Sequence, residues 1–462
     1  MMKYEITPTI TRSRWGFLAL LLALAASCDL FNSGSGRNDT PESAADWSEP
    51  VLFYRDTNSD SSKTGQFQAV VHEDMIHAVT WRNRSLDDLL LDFSQILFLE
   101  KEVGTRSEAE IRELTPGAVP SEQPLILRDH TGTFHLLWGD RRLDPGFDRW
   151  ESQFSQLGIF STNVIYTRSD GSSFEPPVSI YEGNLSTLGR GDIGFPLRLI
   201  EAEDHRLHAV FKADSAFIVG DGTTPMEGDS VEDFISRATY MNRSTTGQWS
   251  RPRFLGVDPR HPAIGTAHNP DIAAPSANRL VVVWIGSAGD LNDVLAVTSG
   301  DGGLTWSEPR LIVSSNQRPA IRLRLIQAPD DRLHLIVGKS STIFLPTEMW
   351  HTYSENGGET WSPPQRFLAV MNSANVIFPF DVLVDEAGRV HWAGLEVDIG
   401  DNLNNKIHYT TWNPGTEAWE EPSLFDMASA PNLIDLALDE STQKLYLFWM
   451  ERFERTVFYS VK

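Results

Sequence analysis

Short apolar stretches, broken by turn-forming Gly, Asn and Asp residues, recur from about residue 46 to the C terminus. Within them the side chains tend to alternate with a period of two, and no stretch after residue 45 shows a strong helical period. This pattern predicts β-strands. Four strands are clearest in one unit, where they are expected at 271–274, 279–284, 293–298 and 304–312.

Two markers repeat in step along the chain. The first is an aromatic residue, two further residues and a proline, and its copies begin at Trp47, Phe174, Trp249, Trp306, Trp361 and Trp419. The second is a turn followed by an apolar strand, and its copies begin at Met75, Thr133, Arg206, Arg279, Arg332, Arg389 and Lys444. These seven copies lie mostly 53–58 residues apart, with two steps of 73. A degenerate copy of the first marker lies near residues 106–116.

Four-stranded units of this length, repeated along one chain, predict an all-β fold, a β-propeller of four-stranded blades. We expect seven blades, with six as the alternative because the copy at 106–116 is weak. The last unit ends at Thr456–Lys462, its third strand, and lacks a fourth. Trp47–Phe53 can supply that strand, so pairing of the two chain ends is expected to close the ring. The propeller should therefore occupy residues 46–462 as a single domain.

One turn motif resembles a known family. Its two copies, of the form Ser-x-Asp/Asn-x-Gly-x-Thr-Trp, consist of Ser299, Asp301, Gly303, Thr305 and Trp306, and of Ser354, Asn356, Gly358, Thr360 and Trp361. They resemble the Asp-box, or BNR repeat, of sialidase-like propellers. The resemblance implies that these residues are structural, because the Asp-box turn lies on the face opposite the one that binds ligands. It therefore indicates the fold and says little about a reaction.

Charge and cysteine content exclude several functions. The chain has 39 Lys+Arg and 63 Asp+Glu, a formal net charge of −24, which repels nucleic acids. A single cysteine excludes an internal disulfide, a cysteine-based zinc site and an iron–sulfur cluster. Histidines recur at one equivalent strand position in five units, so ring symmetry keeps them apart, and we expect no metal site or cofactor. Calcium at Asp398–Asn404 is weighed against a solvated polar loop.

The N terminus resembles a bacterial lipoprotein signal. Basic residues precede a short apolar run, and small residues lead directly to Cys28. Residues 1–27 are predicted to be a signal peptide, Cys28 the lipidated residue carrying acyl chains such as palmitate, and residues 28–45 a flexible tether. An ordinary secretory signal is the alternative. The predicted location is the cell envelope, either periplasmic or on the cell surface, with the membrane as a partner through the lipid anchor.

The functional face is expected where the loops opposite the Asp-box turns meet. Arginines at these loops could bind a carboxylate, and the candidates are Arg82, Arg84, Arg141, Arg142, Arg318 and Arg452. Asp140 and Glu451 are the candidate acid/base residues. The alternative is that all these charges are solvated rim residues that pair with one another. Three arginines and a carboxylate meeting at the central funnel would favour a functional site.

The sialidase resemblance is incomplete. An active member would need an early Phe/Tyr-Arg-Ile-Pro segment, but the nearest segments, Phe195–Arg198 and Phe53–Arg55, do not fit. No motif places Tyr54 or Tyr181 as a nucleophile. The favoured hypothesis is a monomeric, lipid-anchored propeller whose loop face binds a glycan or a protein ligand without sialidase chemistry. A glycoside hydrolase that uses loop carboxylates and a scaffold in a protein complex are the alternatives.

Overall fold

The computed structural model describes residues 47–57, 61–84, 93–115, 121–142, 161–182, 197–218, 231–255, 267–287, 292–315, 318–340, 345–370, 375–398, 405–427, 431–451 and 455–462. Within these ranges every regular element is a β-strand, and there is no helix. Accordingly, this part of the chain contains no helix that is long and apolar enough to span a membrane.

The strands form seven antiparallel sheets, the blades, numbered here in chain order. Blade 1 contains β2 (Ser61–His72), β3 (Met75–Arg84), β4 (Phe93–Glu102) and β5 (Glu110–Glu113). Blade 2 contains β6 (Ser121–Arg128), β7 (Phe134–Arg142), β8 (Ser161–Ser169) and β9 (Val178–Glu182). Blade 3 contains β10 (Arg198–Glu201), β11 (Leu207–Ile218), β12 (Val231–Arg243) and β13 (Arg253–Phe254). Blade 4 contains β14 (Ala267–Ser276), β15 (Arg279–Ser287), β16 (Asn292–Ser299) and β17 (Arg310–Val313).

The remaining three blades follow the same order. Blade 5 contains β18 (Ala320–Gln327), β19 (Leu333–Lys339), β20 (Glu348–Ser354) and β21 (Gln365–Ala369). Blade 6 contains β22 (Asn375–Val384), β23 (Val390–Asp398), β24 (Asn405–Asn413), β25 (Ala418–Trp419) and β26 (Ser423–Met427). Blade 7 contains β27 (Pro431–Asp439), β28 (Lys444–Glu451), β29 (Thr456–Val461) and, as its outer strand, β1 (Val51–Arg55).

The hydrophobic core lies between the blades. Seven clusters of buried side chains fill the seven contacts between neighbouring blades around the ring. One of them joins Phe67 of blade 1 to Phe448 of blade 7, so the last blade packs against the first. Because each sheet is covered on both faces, its central strands are apolar on both sides; all seven residues of β19 are buried. The predicted seven-bladed propeller is confirmed.

The two ends of the chain close the ring. Strand β1 pairs antiparallel with β29, with Val51 opposite Tyr459 and Arg55 opposite Thr456. Before β1, the Ser48 N–H donates to the Val461 carbonyl over 2.8 Å. The predicted pairing of Trp47–Phe53 with Thr456–Val461 is therefore confirmed. The weak copy near 106–116 is also a real outer strand, β5, which pairs with β4.

The outer strands are shorter than the sequence predicts. The fourth strand of blade 4 was expected at 304–312 but begins only at Arg310. Pro309 has no N–H to donate, and the preceding residues belong to the turn motif rather than to the ladder. Leu304 consequently remains 62% exposed.

The turn motif has a self-contained hydrogen-bond network. Ser299 Oγ accepts from the Gly303 N–H over 2.9 Å, and Asp301 accepts from the Thr305 N–H over 2.8 Å and from its hydroxyl over 2.5 Å. Gly303 adopts φ +89°, a conformation that favours glycine. Trp306 then packs edge-on against Tyr240 of blade 3. In the second copy the N–H groups of Gly358 and Thr360 donate to Ser354 and Asn356 in the same way, but the side-chain bond is reversed, with the Asn356 amide donating to the Thr360 hydroxyl over 2.7 Å. Trp361 packs against the core between blades 4 and 5.

The recurring histidines also serve packing. His135, His208 and His391 each hydrogen-bond a third-strand tyrosine of the same blade over 2.7–2.8 Å, and His334 contacts His351 instead. They lie in different blades, so they do not converge on one ion.

We expect Phe53→Ala to destabilise the protein by about 3–5 kcal/mol, because a fully buried ring at the closing strand is lost. Urea unfolding of both proteins measures this. Phe254→Ala is the matched control: that ring is 48% exposed on an outer strand, so its loss should cost less than about 1 kcal/mol. Equal losses for the two variants would contradict the closure argument.

Candidate functional site

Two of the predicted arginines are occupied in structural networks. Arg82 is buried in blade 1, where it contacts Gln95 over 3.1 Å and pairs with Glu113 and with Asp56. Its charge is neutralised within its own blade.

Arg318, in blade 5, forms an ion pair with the carboxylate of Glu348. Arg366 contacts the same carboxylate over 3.0 Å. The Trp350 indole N–H donates to the second oxygen of Glu348 over 3.1 Å. This carboxylate therefore has partners on both of its oxygens, and Arg318 belongs to a rim network.

The other predicted residues do not meet in the described part of the chain. Arg84, Arg141 and Arg142 end strands β3 and β7, but their side chains lie outside the description. Cys28, Arg452 and most of the segment considered for calcium, 399–404, also lie outside the described residues. Asp140 lies two residues before the end of the second strand of blade 2, and Glu451 ends the second strand of blade 7, with blade 1 between them. Neither is among the described residues that line the central channel.

The structure instead brings charges together on the inner strands, around the channel. Seven equivalent positions, one per blade, form what we call the waist ring: Gln68, Leu125, Arg198, Asp271, Arg324, Asp381 and Asp435. In four blades the polar side chain accepts a hydrogen bond from the next blade's inner strand over 2.8–3.0 Å, and the donors are the N–H groups of Ile126, Leu325, Leu436 and Ala69. Inner strands are sheet edges, so this satisfies N–H groups that no further strand can pair.

The charges in the waist ring are paired across blades. Asp271 lies between Arg198 (3.3 Å) and Arg324 (3.6 Å), and Arg324 also lies 2.9 Å from Asp381. Burial lowers the pKa of Arg198 to about 10, and the nearby positive charge of Arg324 adds to the effect. Burial opposes the charge of Arg324 too, but the carboxylates of Asp381 and Asp271 outweigh it and raise its pKa. Arg324 is thus the better compensated cation.

Asp435 completes this cluster as a neutralised acid. Burial raises its pKa well above the usual value, and the negative charge of Asp381 adds to the rise. The N–H bond from Ala69 and the charge of Arg324 oppose the rise without cancelling it. Burial and the negative charge of Asp381 therefore both favour the protonated form of Asp435.

A third arginine lies closer to the opening of the channel. Arg322 is two residues before Arg324 on β18, so strand alternation turns both towards the axis while Leu323 and Leu325 enter the core between blades 4 and 5. Its guanidinium stacks over the Phe378 ring at 5.1 Å and donates to the Ile321 carbonyl at 2.9 Å. Among the described residues no carboxylate pairs with Arg322, and burial alone lowers its pKa.

Backbone irregularities help to form this opening. Inner-strand registers shift between Ala320 and Arg322, between His268 and Asp271, and between Ile377 and Phe380. The inner strands of blades 1, 2 and 7 shift at corresponding places. Bulges bend a strand and re-aim its side chains, and these shifts lie on the side of the waist ring where the inner strands begin.

The resulting cavity, here called the funnel, has a volume of about 400 Å³. Its lining comprises the three arginines, the carboxyl groups of Asp381 and Asp435, the amides of Gln68 and Asn269, and an apolar wall that includes Phe67, Phe378 and Phe380. A second cavity of about 330 Å³ lies below the waist ring. Three arginines therefore meet carboxyl groups in the funnel, but they lie on inner strands, and none of the loop arginines predicted from the sequence is among its described lining residues.

The sequence holds a signal for these residues. In five blades the waist residue stands eight positions before the second marker: Leu125, Arg198, Asp271, Arg324 and Asp381. A charged residue at a position that repeats with the blades, on the strand nearest the axis, indicates a channel cluster. The candidates predicted from the sequence were loop residues, so this channel cluster was not predicted. Arg198 appeared only as the last residue of Phe195–Arg198, the segment that does not fit the sialidase motif.

Comparison with known proteins supports the fold. No protein-family model matches the sequence, and no curated protein matches it significantly. Among solved structures, an ulvan lyase of polysaccharide lyase family PL25 is 9% identical, with 89% of this chain and 95% of that chain covered and a TM-score of 0.51. A Dyadobacter fermentans protein of unknown function is 11% identical (89% and 97% covered, TM-score 0.49), and the NanB sialidase of Streptococcus pneumoniae is 8% identical (92% and 71% covered, TM-score 0.42). At these identities only the propeller fold is shared.

The raised pKa of Asp435 predicts a pH dependence of stability. The protonated carboxyl stabilises the fold fully below the ordinary aspartate pKa, and this contribution is lost as pH rises through the raised value. We expect Asp435→Asn, which cannot ionise, to gain stability relative to the unmodified protein as pH rises from about 5 to about 8. Urea unfolding at several pH values measures the difference.

Asp301→Asn serves as the control. Hydrogen bonds from Thr305 lower the pKa of Asp301 to about 2, so its contribution is lost only as pH falls below the ordinary aspartate value. The stability difference for this variant should stay constant across the same range. A constant difference for Asp435→Asn as well would contradict the assignment of the proton.

Proposed function

We propose that the protein is a carbohydrate-binding propeller whose funnel takes the carboxylate of an acidic sugar, such as a uronate or a sialate, without sialidase chemistry. The observation that carries this proposal is Arg322, a guanidinium that faces the funnel with no paired carboxylate among the described residues. A partly buried cation without a counter-charge is costly, and an anionic ligand removes that cost.

The charges below Arg322 support a single negative charge on the ligand. The funnel is lined by three guanidinium groups and by the carboxyls of Asp381 and Asp435, while Asp271 pairs from the waist ring. With Asp435 protonated, two carboxylates face three cations and one positive charge remains. Because Arg198 and Arg324 already contact carboxylates, the remaining charge resides on Arg322. A guanidinium binds a carboxylate through two parallel hydrogen bonds.

The shape of the funnel also suits a sugar ring. Its volume of about 400 Å³ lies in the range of small-molecule sites, about 300–1,000 Å³. Phe378 and Phe380 are partly exposed and form an apolar wall beside the polar groups. An apolar wall with a few convergent polar groups is the usual composition of a ligand site. The described lining includes no tyrosine, so the tyrosine nucleophile of sialidases has no candidate there.

A protein of the same fold binds such a ligand. An ulvan lyase of family PL25, 8% identical with a TM-score of 0.50, has been solved with a saccharide of glucuronate and sulfated rhamnose, -[GlcA(1-4)Rha3S]-. That likeness shows the fold alone, so Arg322 and its surroundings remain the basis of the proposal.

We expect Arg322→Ala to weaken binding of glucuronate-containing oligosaccharides or α-sialosides by about 10- to 100-fold, because a charge-assisted pair is lost. The affinity of Arg322→Lys should lie between those of the unmodified protein and of Arg322→Ala, since lysine keeps the positive charge but cannot form the bidentate pair. Isothermal titration calorimetry against acidic and neutral saccharides measures this.

Arg251→Ala, at an exposed arginine outside the funnel, is the matched control and should bind as the unmodified protein does. Equal affinity for acidic and neutral saccharides, or unchanged binding by Arg322→Ala, would overturn the proposal.

A second candidate function is a glycoside hydrolase on the same site. The observation in its favour is that two carboxyl groups, those of Asp381 and Asp435, line one cavity, and that burial raises the pKa of Asp435. One protonated and one ionised carboxyl group are what general acid/base hydrolysis requires. In this alternative Asp435 donates the proton and Asp381 accepts one, in place of Asp140 and Glu451.

If the protein is a hydrolase, Asp381→Asn should lower turnover of an acidic aryl-glycoside by about 10²- to 10⁴-fold while saccharide binding persists. A screen of aryl-glycosides, read by release of the aryl group, tests this. Turnover that survives both Asp381→Asn and Asp435→Asn would exclude this pair. Binding without any turnover by the unmodified protein would favour the binder.

A further inference from the structure

A separate group of ligating side chains lies on the opposite side of the ring from the funnel, between blades 2 and 3. His130 is in the turn that joins β6 to β7, and His205 is in the equivalent turn between β10 and β11. Glu201 ends β10, directly before that second turn. Inner strands begin at the funnel and end at these turns, so the group is remote from Arg322. Glu201 also lines the cavity below the waist ring.

The three side chains converge closely. The two imidazole rings stack with their centroids 3.5 Å apart and their planes inclined by 22°. Both turn Nδ1 towards one oxygen, Oε1 of Glu201; His205 Nδ1 lies 3.2 Å from it, and His130 Nδ1 is in direct contact. The ligand atoms of all three residues lie within 4.8 Å of one another.

The carboxylate is held in position by the backbone. Its other oxygen, Oε2, accepts a hydrogen bond from the His130 N–H over 2.9 Å. This contact leaves Oε1 directed at the imidazoles, and such outer hydrogen bonds commonly orient a metal ligand. About half of each imidazole side chain is exposed, 46% for His130 and 53% for His205, so an ion has access from solvent.

We propose that His130, Glu201 and His205 form a binding site for a divalent transition-metal ion, with zinc the best match. Two imidazole nitrogens, one carboxylate oxygen and a position open to water make a donor set that zinc accepts in four-coordinate geometry. Calcium and magnesium prefer oxygen ligands throughout, so they are poor matches. Each imidazole ligates through Nδ1 as the neutral tautomer that carries its proton on Nε2.

The site would cross-link two blades. His130 belongs to blade 2, whereas Glu201 and His205 belong to blade 3, so one ion ties together two turns that are 70 residues or more apart in the chain. A ligand that binds only the folded state stabilises it by RT ln(1 + L/Kd), where L is the free ligand concentration, so the stabilisation grows with L. The ion therefore has a structural role that is independent of saccharide binding in the funnel.

The test is zinc titration of the full chain, purified without a histidine tag and stripped of metal. We expect one zinc ion per chain by calorimetry, and a rise in Tm of about 3 °C at a free zinc concentration of about one hundred times Kd. Cobalt should give the visible absorption bands of a site with mixed nitrogen and oxygen ligands. Affinity should fall as pH is lowered, because protons compete with the metal ion for the ligand nitrogens.

Variants separate this site from adventitious binding. His130→Ala, His205→Ala and Glu201→Gln should each weaken zinc binding by at least about tenfold and abolish the rise in Tm. His72→Ala is the matched control, because His72 lies 3.7 Å from Glu73 at the equivalent turn of blade 1 but belongs to no group of three converging ligands among the described residues. Absence of zinc binding, or affinity that His205→Ala leaves unchanged, would overturn the proposal.

Discussion

The whole structure depends on one constraint: each four-stranded sheet must be covered on both faces. A blade at the end of an open row would expose one apolar face and an unpaired strand edge. Here the row closes, because β1 comes from the start of the chain and pairs with the last strand, β29. Phe53 on β1 then fills the core between the last blade and the first. A single antiparallel pairing between residues about 400 positions apart thus keeps all seven blade contacts equivalent.

Closure also determines what happens at the axis. The inner strands are edges that no further strand pairs, so their N–H groups need other acceptors. Side chains of the neighbouring blade supply them, and in three cases the acceptor is an aspartate. Two of these buried carboxylates, Asp271 and Asp381, pair in turn with Arg198 and Arg324. Arg322 lies on β18 two residues before Arg324, outside this network of ion pairs, and no carboxylate among the described residues pairs with it. The funnel therefore combines a structural ion-pair network with one guanidinium that is available to a ligand.

The fold was readable from the sequence while the site was not, and the reason is geometric. Strand alternation, turn residues and the seven-fold repeat are local or periodic, so Trp47–Phe53 could be matched to the last blade from its place in the repeat alone. The site arises where seven non-adjacent segments meet. Arg82 and Arg318 were credible candidates by position, but each has a carboxylate within its own blade. The sequence did not single out Asp271, Asp381 and Asp435, because the chain has 63 acidic residues. A single aspartate becomes informative only when the equivalent positions of the blades are aligned.

The sequence by itself determined the four-stranded unit, the closing pair of strands and the Ser-x-Asp/Asn-x-Gly-x-Thr-Trp turns, because each follows from spacing along one segment or from a repeat of it. It favoured seven blades over six, and the structure decided between them. Only the tertiary structure decided which charges face the axis and which of them lack a partner. Strand alternation places Arg322 on the same side of β18 as Arg324, but only the packing of the seven blades decides that this side faces the axis and which carboxylates reach each guanidinium. The contact between His130 and Glu201 likewise depends on how two blades stack, a distance that no single segment encodes.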